Sequence, residues 1–370
     1  MKIGIDISQL AYPGTGVATY TENLVNNLLN IDKENEYVLF YSSLRIENKR
    51  LKIENIKHRS NIKNFRFPPI FLELIWNKFH ILPIETFTGK LDLFHTSDWL
   101  EPPAKCPKVT TIHDLTVLKY PETFVPRGGH DIVANQKRKL DLVKKESKII
   151  IAVSENTKKD IVELLGIPES RIKVIYEAAD EIYNPSTPLK VNKIKKKYGI
   201  EGKYILAVGT REPRKNLARV IEAHSRLTRS NLVTLVIAGK YGWGSEKSNI
   251  KDKKLKILGF VLKEDLALLY SGAECFVYPP LYEGFGLPVL EAMASGCPVV
   301  TSNVSSLAEI AGKAAILVNP ENVEEIVQGI EKAIKNKEEM TKKGLIRAKE
   351  FSWEKTARET LKIYDEVFRK

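Results

Sequence analysis

The stretch CFVYPPLYEGFGLPVLEAMASGCPVVTS, residues 275–302, shows on a small scale how the whole chain is organised. Residues 275–278 form a short apolar run, which reads as a strand leaving a core. LYEGFG is its exit loop. Pro288 suits the first turn of a helix, and Gly296 and Pro298 stop that helix before a second strand at 299–302. Two strands joined through a helix argue for a parallel sheet covered by helices.

The alternation extends outward from there. Residues 2–8, 37–42, 91–95, 109–112, 149–153 and 173–176 read as strands, with amphipathic helical stretches such as 20–29 and 156–165 between several of them. DEIYNPSTPLK, with Pro185, Ser186 and Pro188, marks a linker. Strands then recur at 204–208, 234–238, 256–258, 275–278 and 299–302, and helical sequence runs on from Val323. The chain reads as α/β, two doubly wound domains in tandem. In such sheets ligands lie beyond the carboxyl ends of the strands, so an interdomain cleft between facing sheets is expected.

Composition narrows the function classes. A chain of 370 residues is long for one core, and 43% apolar with 28% charged residues is a globular balance. No apolar run approaches the roughly eighteen residues of a membrane span, and MKIGIDISQL lacks the layout of a signal peptide, so a cytoplasmic location is expected. Cys106, Cys275 and Cys297 form no C-x-x-C pair, so neither a zinc site nor a disulfide framework is indicated. The net charge of +12 suits an anionic partner: a nucleotide, a nucleic acid or an acidic membrane surface.

Three segments carry candidate chemistry. Gly14 and Gly16 follow the first strand and precede a helix as in a dinucleotide fingerprint, but Thr19 replaces the third glycine and no acid ends the second strand, which argues against a dehydrogenase. The pair is either a plain turn or a close backbone approach to a phosphate or sugar. In ILAVGTREPRKNLARVIEAH a strand stops at Gly209 and Asn216 caps the next helix, leaving Arg214 and Lys215 at its positive end. They are either a solvated face or a clamp for a diphosphate. Around EGFGLPVLE, Glu283 and Glu291 can each accept two hydroxyl hydrogen bonds, which suits a polyol with a negatively charged link; an acid in the first turn of a helix is the plainer reading of Glu291.

Taken together, Glu283 and Glu291 in EGFGLPVLEA resemble the E-x7-E motif of retaining glycosyltransferase family 4, the group 1 glycosyltransferases. The resemblance extends through the amino-terminal glycine loop, TIHDL, AVSENTKKDI, GTREPRKN, ILGFV and NVSSLAEIAGKAAILVNP, and so covers nearly the whole chain. It implies the GT-B fold: a Rossmann-like acceptor domain over 1–180, a Rossmann-like nucleotide-sugar domain over 181–350, and a final helix, 351–370, packing back on the first domain. It also implies that Glu283 contacts the transferred sugar, that the backbone of Gly284, Phe285, Gly286 and Leu287 contacts sugar and phosphate, and that Glu291 binds the ribose. Arg214 and Lys215 would stabilise the departing diphosphate, with Gly209 beginning the clamp and Gly14 and Gly16 approaching it. Phe260 and Val261, next to Gly259, would flank the base, and His113 would lie beside the sugar. Asp114 could orient His113, cap the following turn or touch substrate.

Two places depart from the family pattern. Thr210 stands where many relatives carry arginine, so Arg211 or Arg214 is the candidate to supply that charge; Glu177-Ala178 stands where many carry Asn-Gly. The implied activity is retaining transfer of a hexose, mannose favoured, from a GDP- or UDP-sugar to a hydroxyl of a glycan or lipid-linked glycan, with no metal or other cofactor required and no nucleic acid as partner. A nucleotide-sugar hydrolase or epimerase of the same fold, and a non-catalytic sugar or nucleic-acid binding module, are the alternatives. Finally, Arg45, Lys49, Arg50, Lys52, Lys57, Arg59, Lys63 and Arg66 form a cationic run before Phe65, Phe67, Phe71, Trp76 and Phe79. This is either a core helix with a solvated basic approach or a peripheral anchor at an anionic inner-membrane face.

Overall fold

The computed structural model describes residues 1–44, 60–124, 131–210, 212–227, 233–239 and 254–369. It divides into two compact units, Met1–Glu177 with Ser352–Lys370, and Ala178–Phe351.

The first unit is built on a seven-stranded sheet of order β3-β2-β1-β4-β5-β6-β7, with every pairing parallel. Its strands are β1 (Lys2–Asp6), β2 (Glu36–Ser42), β3 (Ser60–Phe65), β4 (Leu93–Ser97), β5 (Lys108–Ile112), β6 (Ser147–Ala152) and β7 (Ile172–Val174). The strand order turns back at β1, the topological switch that opens a crevice at the carboxyl ends of neighbouring strands. β3 has no counterpart among the expected strands. It lies at the sheet edge with the sequence SNIKNF and no buried residue, so it lacks the apolar run that would announce it.

The second unit has six parallel strands in the order β10-β9-β8-β11-β12-β13. They are β8 (Lys203–Val208), β9 (Val233–Ala238), β10 (Leu255–Gly259), β11 (Phe276–Tyr278), β12 (Val299–Ser302) and β13 (Ile316–Val318). The switch falls at β8. β13 is a three-residue edge strand that also went unanticipated. One face of the sheet packs Ile205, Leu235 and Val277 against the helices Leu217–Leu227 and Val323–Lys335.

The helix Trp353–Arg369 belongs with the first unit. Its buried side chains recur at helical spacing, from Trp353 and Thr356 to Thr360, Ile363 and Val367. The Trp353 ring meets Tyr20 of the helix Gly16–Ile31 edge-on at 5.9 Å, and Tyr364 Oη lies 2.6 Å from His95 Nδ1.

The aromatic stretch after β3 splits in two. Trp76 is buried and Phe65 and Phe67 are stacked, whereas Ile70, Phe71, Leu74, Phe79, Ile81 and Leu82 are exposed. The region is therefore neither all core nor all surface. Arg45, Lys49, Arg50, Lys52, Lys57 and Arg59 lie outside the described residues, as does Arg211. Among the described residues no helix is long and apolar enough to cross a membrane. All three cysteines are free.

Candidate active site

In the second unit, backbone rather than side chains crowds the carboxyl ends of β8, β9 and β10. Gly209 N–H donates to Ala238 O at 3.0 Å, and Gly239 N–H to Gly259 O at 2.7 Å. A Cβ on Gly239 would lie 1.9 Å from Gly209 O, so only glycine fits there. From Gly209 the chain runs into a 3-10 turn, Pro213–Lys215, that brings Arg214 and Lys215 toward the loop after β11.

Those two cations converge on one carboxylate oxygen. Glu283 Oε1 accepts from Arg214 Nη1 at 2.8 Å, from Tyr278 Oη at 2.7 Å and from Lys215 Nζ. Arg214 also donates to Tyr282 O at 2.7 Å and to Glu212 Oε1 at 2.8 Å, and Lys215 Nζ to Tyr278 Oη at 2.8 Å. Two cations thus meet two carboxylates, and Glu283 Oε2 has no hydrogen bond among the described residues. Burial would raise the Glu283 carboxyl, but Arg214 and Lys215 overcome it and hold it at about 2. Burial and the neighbouring Arg214 charge lower Lys215. The sequence points the cations at a phosphate and Glu283 at a sugar; the structure joins all three into one network and adds Tyr278 and Glu212, which no motif marks.

Asn216 also departs from expectation. It precedes the helix Leu217–Leu227 in a left-handed conformation (φ +59°), and its amide ties Pro279 O at 2.8 Å and Pro320 O at 2.6 Å while Oδ1 accepts from Arg219. The side chain fixes the β11 exit loop to the clamp turn. Its two carbonyl partners lie far along the chain, which local capping rules do not see.

The Glu283–Leu287 loop is closely held. Gly286 has φ +105°, and a Cβ there would meet Leu307 Cδ2 at 2.6 Å. Ser305 Oγ accepts from Glu283 N–H at 3.2 Å, and Ser306 Oγ donates to the carbonyls of Glu283 and Phe285 at 2.9 and 2.8 Å. Ser305 itself has φ +55° and ψ −148°, a backbone region that costs a non-glycine residue about 1–3 kcal/mol. Gly284, Phe285 and Leu287 are buried.

Glu291 lies one turn into the helix Leu287–Ala294, in a separate environment. Tyr270 Oη donates to its Oε2 at 3.3 Å, and Tyr183 bonds it as well. Burial, reinforced by Asp180, outweighs those bonds and the Lys263 charge and pushes its carboxyl up to about 7. Lys263 is paired with Asp180 at 2.8 Å. At the exit of β10, Phe260 is exposed and Val261 buried. The two glutamates of the motif therefore differ in charge state: Glu283 stays ionised, whereas Glu291 titrates near neutrality.

In the first unit, Gly14 (φ +82°) leads to Thr15, whose hydroxyl accepts from Ala18 N–H and caps the helix that Gly16 opens. His113, at the exit of β5, has both ring nitrogens engaged: Nδ1 with Glu177 Oε1 at 3.0 Å and Nε2 with Ser97 Oγ at 3.1 Å, with Tyr20 edge-on at 4.6 Å. The acid that departs from the family pattern at 177 is thus the partner of His113. Asp114 Oδ1 accepts from Thr116 N–H at 2.9 Å; it caps its own turn, and Glu177 and Ser97 orient the histidine. Among the described residues no three His, Cys, Asp or Glu side chains are grouped to hold a metal ion.

The family model for Glycosyl transferases group 1 matches residues 190–349, and that for Glycosyltransferase Family 4 matches residues 14–181. An O-antigen chain mannosyltransferase B of Escherichia coli is 30% identical, covering 98% of this chain and 99% of its own. Among solved structures, a sucrose-phosphate synthase from Thermosynechococcus elongatus superposes with a TM-score of 0.75 at 18% identity, over 100% of this chain and 99% of that one. The Anabaena protein Alr3699/HepE in complex with UDP-glucose gives 0.72 at 16% identity, over 99% and 100%. At such identities the likeness shows the fold.

Proposed function

The chain belongs to the group 1 glycosyltransferases, of GT-B fold, and from that premise we propose that it is a retaining mannosyltransferase acting on a glycan carried by a lipid. One observation carries the reading: Arg214, Lys215 and Tyr278 converge on Glu283 Oε1 at the mouth of the second sheet. Two nearly buried cations whose charge is met by the Glu283 and Glu212 carboxylates are poised to exchange one anion for another. A donor diphosphate takes over Arg214 and Lys215, and Glu283, released from part of that network, accepts hydroxyls of the transferred sugar. Glu291 accepts the ribose hydroxyls, and Phe260 and Val261 flank the base. The backbone of Gly284, Phe285, Gly286 and Leu287 meets the sugar and phosphate. From the first unit, Gly14 and Gly16 are assigned to the phosphate and His113 to the sugar.

The chemistry follows from the leaving group. The C1–O bond to phosphate breaks, the acceptor oxygen bonds C1 from the same face, and the departing phosphate takes the acceptor proton. Such a leaving group needs fixed positive charge more than an acid, which separates these glutamates from a glycosidase pair. Arg214 and Lys215 supply that charge, so turnover in the presence of EDTA is part of the proposal. GDP-mannose is the favoured donor, supported by the name of the Escherichia coli relative; UDP-glucose is bound by the Anabaena protein.

A lipid-linked acceptor is supported by the exposed apolar side chains between Ile70 and Leu82, beside exposed Arg66 and Lys78. Apolar groups ringed by cations suit an anionic membrane surface. A thermal-shift screen of GDP- and UDP-sugars, followed by incubation of the stabilising donor with and without mannose-terminated acceptors, tests the proposal. Product formed only with acceptor supports it. Rapid release of free sugar from donor alone would indicate the hydrolase alternative.

A further inference from the structure

The exit of β4 in the first unit is built with unusual care. Ser97 O accepts from Gln9 Nε2 at 3.2 Å, Asp98 O from Gln136 Nε2 at 3.3 Å and Trp99 O from Asn77 Nδ2 at 2.8 Å, while Glu101 N–H donates to Asn77 Oδ1 at 2.9 Å. Three side-chain amides from three separate elements thus pin successive peptide groups. They hold Asp98 in the left-handed region at φ +59°, which few non-glycine residues adopt. Strain sustained by a dedicated scaffold marks a place where side-chain direction matters more than local stability.

What the loop presents is a carboxylate and an indole, beside a buried ammonium. The Asp98 carboxylate makes no hydrogen bond or ion pair among the described residues, and Trp99 is 37% exposed. Lys139, on the helix Ile132–Glu146, is only 2% exposed, and its ammonium likewise has no hydrogen bond or ion pair among the described residues. Lys139 feels the buried Glu101 carboxylate first and Asp98 next, and Asp98 feels His113 and then Lys139. A buried ammonium with carboxylates near it but no hydrogen bond to any of them is incompletely satisfied, so its retention beside the unbonded Asp98 carboxylate points to a partner that arrives from outside.

We infer that Asp98, Trp99 and Lys139 form the subsite for the acceptor sugar and that it takes an uncharged pyranoside. The assignment to the acceptor rests on the proposed transfer reaction, and the site rests on this loop and the helix Ile132–Glu146 beside it. Adjacent sugar hydroxyls donate to Asp98 and accept from Lys139, and the indole offers an apolar wall to a ring face. The selectivity follows from charge. The two charges cancel; Asp114 and Asp6 add negative potential at Asp98 against His113, and Glu101 faces Lys139, so a phosphorylated sugar would gain Lys139 only among carboxylates.

Binding of neutral methyl α-glycosides of mannose, glucose and galactose to the full chain, read by saturation-transfer NMR without donor, tests this directly. Mannose 6-phosphate is the anionic arm, and GDP-mannose affinity is measured separately by calorimetry. The wild type should bind at least one neutral glycoside in preference to mannose 6-phosphate. Asp98→Asn, which tolerates the left-handed backbone as Asp does, and Trp99→Ala should each weaken that binding about tenfold or more, with GDP-mannose affinity within twofold. The inference is overturned if the wild type binds no neutral glycoside, if both variants bind it as the wild type does, or if mannose 6-phosphate binds more tightly. It is also overturned if glycoside and GDP-mannose affinities fall together. Glycoside binding that depends on Asp98 in a protein with no affinity for any nucleotide sugar would leave the subsite standing and strike the donor reading instead.

Discussion

Glu291 offers the sharpest test of the donor assignment, because its charge state and its proposed role make opposite demands. Burial holds its carboxyl at about 7, so at neutral pH about half of the ligand-free molecules carry it protonated. A ribose diol donating two hydrogen bonds needs the carboxylate, which has acceptor capacity on both oxygens. Donor affinity should then scale with the ionised fraction, roughly 0.9 at pH 8 and 0.1 at pH 6, so the apparent Kd should rise about tenfold, or about 1.4 kcal/mol, between them. Glu291→Gln supplies only one acceptor oxygen and does not titrate. Its affinity should be weaker than wild type by about tenfold or more at pH 8 and should approach wild type at pH 6. Calorimetry with GDP-mannose at pH 6, 7 and 8 measures this, and the diphosphate of that donor, esterified at both ends, has no proton of its own to lose in the range. The same carboxyl also links stability to pH. The folded carboxyl is raised above its ordinary value of 4.5, so the fold favours the protonated form and stability falls as pH rises from 4.5 through about 7. Glu291→Gln should therefore stabilise the ligand-free protein at pH 8, by up to about 3 kcal/mol before solvent screening, and much less at pH 5. A wild-type-to-variant affinity ratio that stays constant from pH 6 to 8 would refute the ribose assignment.

The other expectations concern the clamp, the second glutamate and the exposed patch. Lys215→Ala should lower kcat about a hundredfold or more, the scale of losing one preorganised electrostatic donor, and steady-state rates within twofold of wild type would remove Lys215 from the mechanism. Glu283→Gln should impair sugar transfer while leaving free GDP affinity nearly intact. Because Glu283 is held at about 2, its contribution to stability is present above 4.5 and is lost as pH falls toward 2, so urea melts of the variant should show a flatter acid limb than wild type; parallel limbs would argue against the ion-pair network. Phe79→Ser with Ile81→Ser should reduce salt-sensitive binding to anionic vesicles, and equal binding of both proteins would move any membrane contact away from this patch.

What the amino-acid sequence determined by itself was local or periodic. The strand-loop-helix-strand unit at 275–302 could be read because apolar runs, prolines and glycines act over a few residues, and the same rhythm carried both sheets except at the edge strands β3 and β13. β3 escaped because an edge strand needs no continuous apolar run, as polar SNIKNF shows, and β13 because Ile316–Val318 is too short a run to read as a strand. Glu283, Glu291, Arg214 and Lys215 were legible as a constellation, but not as a circuit. Only the tertiary structure brought Lys215 and Glu283 onto one network across 68 positions, sent the Asn216 amide to Pro279 and Pro320, and paired His113 with Glu177. The charge state of the two glutamates was likewise out of reach. Both are followed by small or apolar residues in one short segment, yet one stands among cations and the other among tyrosines and an aspartate, so burial acts on a paired charge in the first case and an unpaired one in the second. Asp98 and Lys139 carry no motif at all; the three amides that hold the loop come from residues 9, 77 and 136, and only folding brings them to one place.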